Sequence, residues 1–469
     1  MPATRRPNLL LIHSDQHRYD CLGAHGHPVL RTPALDRLAA GGTSFAKAFT
    51  PCPLCTPARA SLLTGTWPTI HRSINIPNTE SHRPVSCTQP ILPQLLSAAG
   101  YHHAWIGKFH HELPGHPRDH GATSYVDPEA YPAWRAARGL PPPPREGGWF
   151  GSVDHECPPE ATRLAWMTDH VIAELERASC RSDRPFFLRW DPPEPHLPCR
   201  PSADFASRYP PELIPPWPSW PDRGPGKPAT QLRQKRLWGV EDWTWDQWQP
   251  VVARYLAVVA ELDHQIGRIL DRLDQLGLSE NTLVAYTSDH GDYCGGHGQM
   301  DKHFALYDDL VRVPLLLRWP GRIPSGVHAS TFVCNEIDLA RTLLVAADIE
   351  PPSTFVGQDL RALLRGELPG RDHAFAQYFG TESGSASLRM LRTAEWKYVY
   401  HPTGDRDELY DLHTDPSEQV NLSADPLHRE TLAALRARLA AAMEEARDPL
   451  LNTWTRIELL GAPPFAGRS

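Results

Sequence analysis

Nowhere does this chain carry an apolar run long enough to cross a bilayer. Leu9 to Ile12, the first such run, is too short for a signal-peptide core. No later segment reaches the roughly 18 uncharged apolar residues that a span requires. The expectation is a soluble cytoplasmic protein with no membrane partner. An excess of positive charge is also missing: 47 Lys and Arg stand against 55 Asp and Glu, a formal net charge of -8. That gives no support for a polyanion-binding surface, so no nucleic-acid partner is expected. Regular cysteine spacing is missing too. Nine cysteines, an odd number without a fixed interval, do not make a disulfide scaffold. Cys52 and Cys55 have the spacing of a redox pair or half a zinc site, but no second such pair completes a structural zinc centre.

A chain of 469 residues accommodates a large α/β domain and a smaller one. Leu9–Ile12, Tyr101–Ile106, Phe186–Trp190, Leu283–Thr287 and Arg312–Leu317 read as buried strands. Thr32–Ala39, Leu92–Ala99, Ala161–Ala178 and Asp338–Leu344 read as helices. Val251–Leu276 is a long one, with Tyr255, Val259, Leu262, Ile266, Ile269 and Leu273 forming its apolar stripe. Two stretches, about 127–160 and 201–250, are rich in proline and predicted to be irregular excursions; the first includes Pro141 to Pro144. The second holds six tryptophans from Trp217 to Trp248, which suit either a core or an apolar rim. Arg389–Arg392 and Trp396–Tyr400 read as antiparallel strands, and a last helix runs from about 428 to 447. The resulting division is a catalytic domain 1–365, a C-terminal subdomain 366–448, and an arm 449–469 that docks on the body or on a neighbour, the latter making a homo-oligomer.

Chemistry concentrates where predicted strands end. Asp15 and Gln16 follow the first strand, and Asp289 and His290 follow Leu283–Thr287. In open α/β sheets ligands gather beyond the carboxyl ends of the strands. These four residues therefore suit a discontinuous metal site, although Asp15 alone reads equally as a helix cap. Lys108 and His110, one residue apart on an extended strand end, point the same way. Cys55-Thr56-Pro57-Ala58-Arg59 leads into a helix that runs to Gly65. Proline is tolerated in a first turn, so Cys55 lies near a helix N-terminus where an anion meets free N–H groups. Arg59, four residues on, shares its face. A thiolate nucleophile and a buried structural cysteine are the plainer readings of Cys55.

Cys55-x-Pro57-x-Arg59 followed by Thr64-Gly65 resembles the signature of the sulfatase family, and the resemblance extends from Asn8 to about Leu422. It implies an alkaline phosphatase-like fold: a large, mixed, mostly parallel sheet flanked by helices, with a smaller C-terminal antiparallel-sheet subdomain. It also implies that a formylglycine-generating enzyme oxidises Cys55 to formylglycine (3-oxoalanine), whose hydrate is the nucleophile. Asp15, Gln16, Asp289, His290 and position 55 would hold one divalent cation. Calcium is the family's usual ion, and the imidazole makes manganese its competitor. Gly107-Lys108-Phe109-His110 resembles the family's Gly-Lys-Trp-His, with phenylalanine replacing tryptophan. Pro195-His196-Leu197-Pro198 resembles Pro-His-x-Pro, and Gly295-Gly296-His297-Gly298 followed by Lys302 resembles Gly-x-His-Gly followed by lysine. The implied catalytic residues are Cys55, Arg59, Lys108, His110, His196 and Lys302. Lys108, His196 and Lys302 would also bind substrate, with Asn75 or Asn78 touching the anion. His196 and Lys302 would assist the leaving group, and His110 would take the proton that releases sulfate. The implied reaction is hydrolysis of a small organic sulfate ester. Formylglycine-dependent phosphonate monoester or phosphodiester hydrolases share the cysteine, Asp-Gln and Asp-His elements, but generally lack the Gly-Lys-x-His element found here.

Overall fold

In the computed structural model, Leu9 and Leu11 face one hydrophobic core while Leu10 and Ile12 face another. This alternation along β1 (Asn8–Ser14), with every residue buried, marks a strand covered on both sides. The structure describes residues 6–77, 83–85, 90–110, 112–181, 184–222, 226–380 and 386–461. β1 lies inside an eight-stranded sheet. Its companions are β2 (Thr43–Phe49), β3 (His102–Gly107), β4 (Ser124–Val126), β5 (Phe186–Asp191), β6 (Thr282–Ser288), β7 (Leu315–Arg318) and β8 (Val327–Cys334). The spatial order is β4-β3-β5-β1-β6-β7-β2-β8. All pairings are parallel except those of β7 with β6 and β2. The sheet is the predicted large, mixed and mostly parallel one.

One face of the sheet is covered by Leu62 of the cysteine helix, by Leu92–Ala98, and by Asn335–Ala346. The other is covered by α1 (Pro33–Ala40), Arg163–Ser179 and Trp245–Gln275. A second sheet, β12-β11-β10-β9, is antiparallel throughout. It consists of β9 (His373–Gly380), β10 (Ala386–Thr393), β11 (Trp396–Tyr400) and β12 (Glu408–Asp411). Helix Arg429–Glu445 packs on it. The tail folds back as helix Thr453–Leu460, capped by Asn452, with Leu459 buried. The described part of the tail, to residue 461, thus packs on the body. Among the described residues, no helix is long and apolar enough to cross a membrane.

Several boundaries differ from the sequence reading. The long helix starts at Trp245, ahead of Pro250, because Thr244 and Gln247 form a capping box and Trp245 and Trp248 bury their rings. Pro250 lies in the second turn, where it lacks the N–H that would bond the Asp246 carbonyl. The 201–250 stretch is not wholly irregular: it contains helices Ala203–Ala206 and Ala229–Trp238. Its tryptophans build a core, with Trp217, Trp245 and Trp248 buried and Trp220, Trp238 and Trp243 packed against them. The 127–160 stretch contains helix Tyr131–Ala136. The strand predicted over Arg312–Leu317 is shorter, Leu315–Arg318, and follows a turn of helix at Asp308–Val311.

Candidate active site

The carboxyl ends of β1, β3, β5 and β6 lie along one edge of the sheet. Ser14 is in register with Ser288, and Gly107 with Asp191. The next residues of β1 and β6 are Asp15 and Asp289, so two carboxylates separated by most of the chain become neighbours. Across from them, Cys55 is the first residue of α2 (Cys55–Thr64), a wholly buried helix. Cys55 Sγ lies 3.1 Å from His290 Nε2 and 3.6 Å from Asp15 Oδ1. Asp15, Cys55, Asp289 and His290 present ligand atoms within 4.8 Å of one another, all buried.

The protonation states suit a cation. Burial works against the Asp15 charge, but Lys108, His196, Arg59 and His290 hold its pKa well below the carboxylate range. Asp289 is also lowered: burial and Asp15 oppose ionisation, while His290 and Arg59 overcome them. Burial lowers His290 towards the neutral form. Its Nδ1 lies 2.8 Å from the Gly291 carbonyl, which only accepts. The proton therefore sits on Nδ1 and the Nε2 lone pair faces the cluster. Two ionised carboxylates and a neutral imidazole fit a divalent ion.

Gln16 adopts φ 70°, a left-handed conformation uncommon outside glycine. Its N–H donates to Asp289 Oδ1 at 3.0 Å, and Tyr255 Oη donates to its carbonyl at 2.8 Å. The side-chain amide donates to Asp292 and Asp301 at 2.7 and 3.0 Å. Its Oε1, expected as a metal ligand, receives Lys302 Nζ at 2.9 Å. A second lone pair remains on that oxygen.

Arg59, expected among the catalytic residues, is turned towards carboxylates. It is fully buried, and its Nε, Nη1 and Nη2 reach Asp289, Asp191 and Asp15 at 2.9, 2.8 and 3.2 Å. It positions carboxylates from three strand ends. Asp191, missed by the sequence reading, also receives Arg189 at 2.5 Å and lies 3.2 Å from His13 Nδ1. Burial would raise the Asp191 pKa, but Arg189 and His13 bring it to about 2. His13 Nε2 meets Glu336 at 2.9 Å. Burial disfavours its charge, yet Glu336 and Asp191 raise its pKa to about 9, giving an imidazolium between two carboxylates.

Lys108 Nζ lies 2.5 Å from Asp15 Oδ2. Burial opposes its charge, and Asp15 and Cys55 more than restore it. His110 Nδ1 is 3.2 Å from Thr56 Oγ1, whose own proton goes to the His110 carbonyl at 3.1 Å. His110 therefore donates from Nδ1 and keeps a basic Nε2. Burial, then Lys108, hold its pKa well below the ordinary histidine value. Lys302 Nζ is 2.9 Å from His196 Nε2. Since His196 Nδ1 donates to the Leu197 carbonyl at 2.6 Å, Lys302 is the donor of that pair. Burial opposes the Lys302 charge, but Asp301, Cys55 and Asp15 raise its pKa. Asn75 is buried, and its Oδ1 receives the Ile76 N–H at 2.8 Å. Asn78 lies outside the described residues.

Sheet topology and site together define the alkaline phosphatase-like class of α/β enzymes. Within it, residues 7–349 match the Sulfatase family and residues 295–445 match "N-sulphoglucosamine sulphohydrolase, C-terminal". The chain belongs to the sulfatase family. It is 29% identical over 465 residues to the uncharacterized sulfatase YidJ of Escherichia coli K12, covering 95% of this chain and 88% of that protein. It is 30% identical over 427 residues to the N-acetylgalactosamine-6-sulfatase of Canis lupus familiaris, covering 85% and 73%. A phosphonate monoester hydrolase from Silicibacter pomeroyi has the same fold, with a TM-score of 0.82 at 24% identity, covering 96% of this chain and 97% of that one.

Proposed function

We propose that this sulfatase hydrolyses a sulfate monoester to an alcohol or phenol and inorganic sulfate, with Cys55 first oxidised to formylglycine by a formylglycine-generating enzyme. The observation carrying this reading is the meeting of Cys55 with Asp15, Asp289 and His290 at one buried point. Asp15, Gln16, Asp289, His290 and position 55 would hold the cation. When bound, it supplies positive charge against which sulfate and nucleophile are held. The oxygen-rich donor set favours calcium, with His290 keeping manganese as competitor. The Cys55 thiol holds the place of the oxidised residue's side-chain oxygen, and the hydrated aldehyde supplies the attacking oxygen.

The chain's own groups account for the remaining chemistry. Lys108 and Lys302 offset sulfate charge in a water-poor site, where fixed charges act strongly. Arg59 keeps Asp15 and Asp289 ionised and in place. Lys302, already donating to His196, would assist the departing oxygen together with His196. His110, neutral with a free Nε2, takes the proton whose removal releases sulfate. Phosphonate monoester hydrolysis is the competing reading, and the Lys108–His110 element weighs against it.

The decisive measurement is the mass of the Cys55 peptide from a host with the modifying enzyme. Oxidation removes about 18 Da, and the same protein should release sulfate from an aryl sulfate. Cys55→Ser is expected to be inactive there, and Cys52→Ser to retain most activity. Full activity with an unmodified thiol overturns the reading.

A further inference from the structure

His196 also forms part of the wall of a cavity of about 220 Å³. This is smaller than pockets for drug-sized ligands, so it suits one ring or a short substituent. The 127–160 excursion supplies another wall and is fixed to the segment after β5. Asp154 N donates to the Pro201 carbonyl at 2.9 Å, and Asp154 bridges to Ser202. Gly151, at φ +77°, approaches so closely that a Cβ there would lie 2.0 Å from the Cys199 carbonyl oxygen.

Three guanidiniums, Arg135, Arg163 and Arg200, and four carboxyls, Glu129, Asp154, Glu194 and Glu261, line this cavity. Arg135 is matched by Asp154, at 2.5 and 3.1 Å. Arg163 Nε donates to Glu194 Oε1 at 2.7 Å. Burial raises the Glu261 pKa to about 7, so this carboxyl is about half ionised near neutrality. Arg200, partly buried, has no such match. Its Nε is buried without a hydrogen-bond partner, and among the described residues it enters no ion pair. Burial and then Arg163 lower its pKa, as expected for a guanidinium that lacks a counter-charge, and Asp154 is already engaged. An unpaired buried donor of this kind is costly. Its planar fork matches a carboxylate or sulfate. Glu194 Oε2, the other unpartnered atom in this wall, suits a neighbouring hydroxyl.

We propose that Arg200 receives an anionic substituent on the alcohol half of the substrate, so that the preferred ester carries a carboxylate or a second sulfate on its leaving group. This rests on the sulfate-ester reading above; His196 both lines the cavity and accepts from Lys302. The substrate class becomes a sulfate ester of an acidic alcohol or phenol, and Arg200 a specificity-determining residue.

The test uses the full-length, matured enzyme with phenyl sulfate, 3-carboxyphenyl sulfate and 1,3-phenylene disulfate. The meta substituents leave the leaving-group acidity almost unchanged. Wild type should favour at least one anionic substrate by tenfold or more in kcat/KM, and which one it favours separates carboxylate from sulfate. Arg200→Met should erase that preference, chiefly through KM, and Arg200→Lys should restore part of it. A preference that survives in Arg200→Met, or equal losses on all three substrates, overturns the proposal. Calorimetric titration with 3-hydroxybenzoate and with phenol needs no turnover. Tighter binding of 3-hydroxybenzoate that disappears in Arg200→Met supports the inference even if no sulfate ester is hydrolysed, in which case only the catalytic reading falls. Equal binding of the two probes overturns the inference while leaving catalysis standing.

Discussion

At the residue scale, Asp15 does the most: it contacts Arg59, Lys108 and the Cys55 thiol and lies in the metal-competent cluster. Asp15→Ala should lose bound metal and turnover together. Elemental analysis of the purified variant checks this, and full metal occupancy refutes the ligand assignment. The Lys302–His196 pair makes a different prediction. Lys302→Ala should slow esters of poor leaving groups by about 10²–10⁴-fold and activated aryl sulfates much less. The slope of log kcat/KM against leaving-group pKa should therefore steepen. A uniform loss across the series means that Lys302 only binds sulfate. Most of these side chains were legible because each follows a strand or helix boundary with a distinctive neighbour. The role of Arg59 was not. One guanidinium serves three carboxylates only because β1, β5 and β6 end together, and Asp191 sits one residue past the predicted end of its strand.

At the element scale, α1 begins without a side-chain cap from Thr32. Its free N–H groups at Ala34 and Leu35 instead donate to Asp263 Oδ2 and Oδ1, at 3.1 and 2.8 Å, from the helix Trp245–Gln275. Buried donors left without partners are costly, so Asp263→Ala should destabilise the fold by about 1–3 kcal/mol. Asp263→Asn, which keeps one acceptor, should cost less. Denaturant midpoints measure both, and equal midpoints refute the cap. The apolar stripe from Tyr255 to Leu273 was readable from periodicity. The helix start was not, because Pro250 reads as a boundary, whereas the buried rings of Trp245 and Trp248 hold the first turns in place.

At the scale of the whole molecule, the second sheet is bolted to the cysteine loop. Gln377 of β9 donates its N–H to the Pro51 carbonyl at 2.8 Å and its amide to Asp448 at 2.9 Å. Asp448 also pairs with Arg389 of β10, and both are almost completely buried. Asp448→Ala strands that charge and should cost about 3–5 kcal/mol. The thermal midpoint should fall well below that of the wild type, with metal content preserved at low temperature. An unchanged midpoint would mean that Arg389 finds another partner. Residue spacing signalled β10 and β11. Their attachment to the cysteine loop had no sequence signal, since it joins positions more than three hundred residues apart.

The sequence by itself determined the fold class and the chemical vocabulary of the site. Short apolar runs ending in Asp, Lys or His are local patterns, and the strand ends of a parallel sheet must share an edge. The Cys-x-Pro-x-Arg element likewise carries its own helix start. Only tertiary structure decided what each charged group faces. Burial makes an unpaired charge costly, so most buried cations and carboxylates take the partner that the packing brings within reach. That partner is set by strand order and loop path, not by neighbours in the chain. Packing turned Arg59 into a brace for carboxylates, paired Lys302 with His196, and left Arg200 without a counter-charge beside the site.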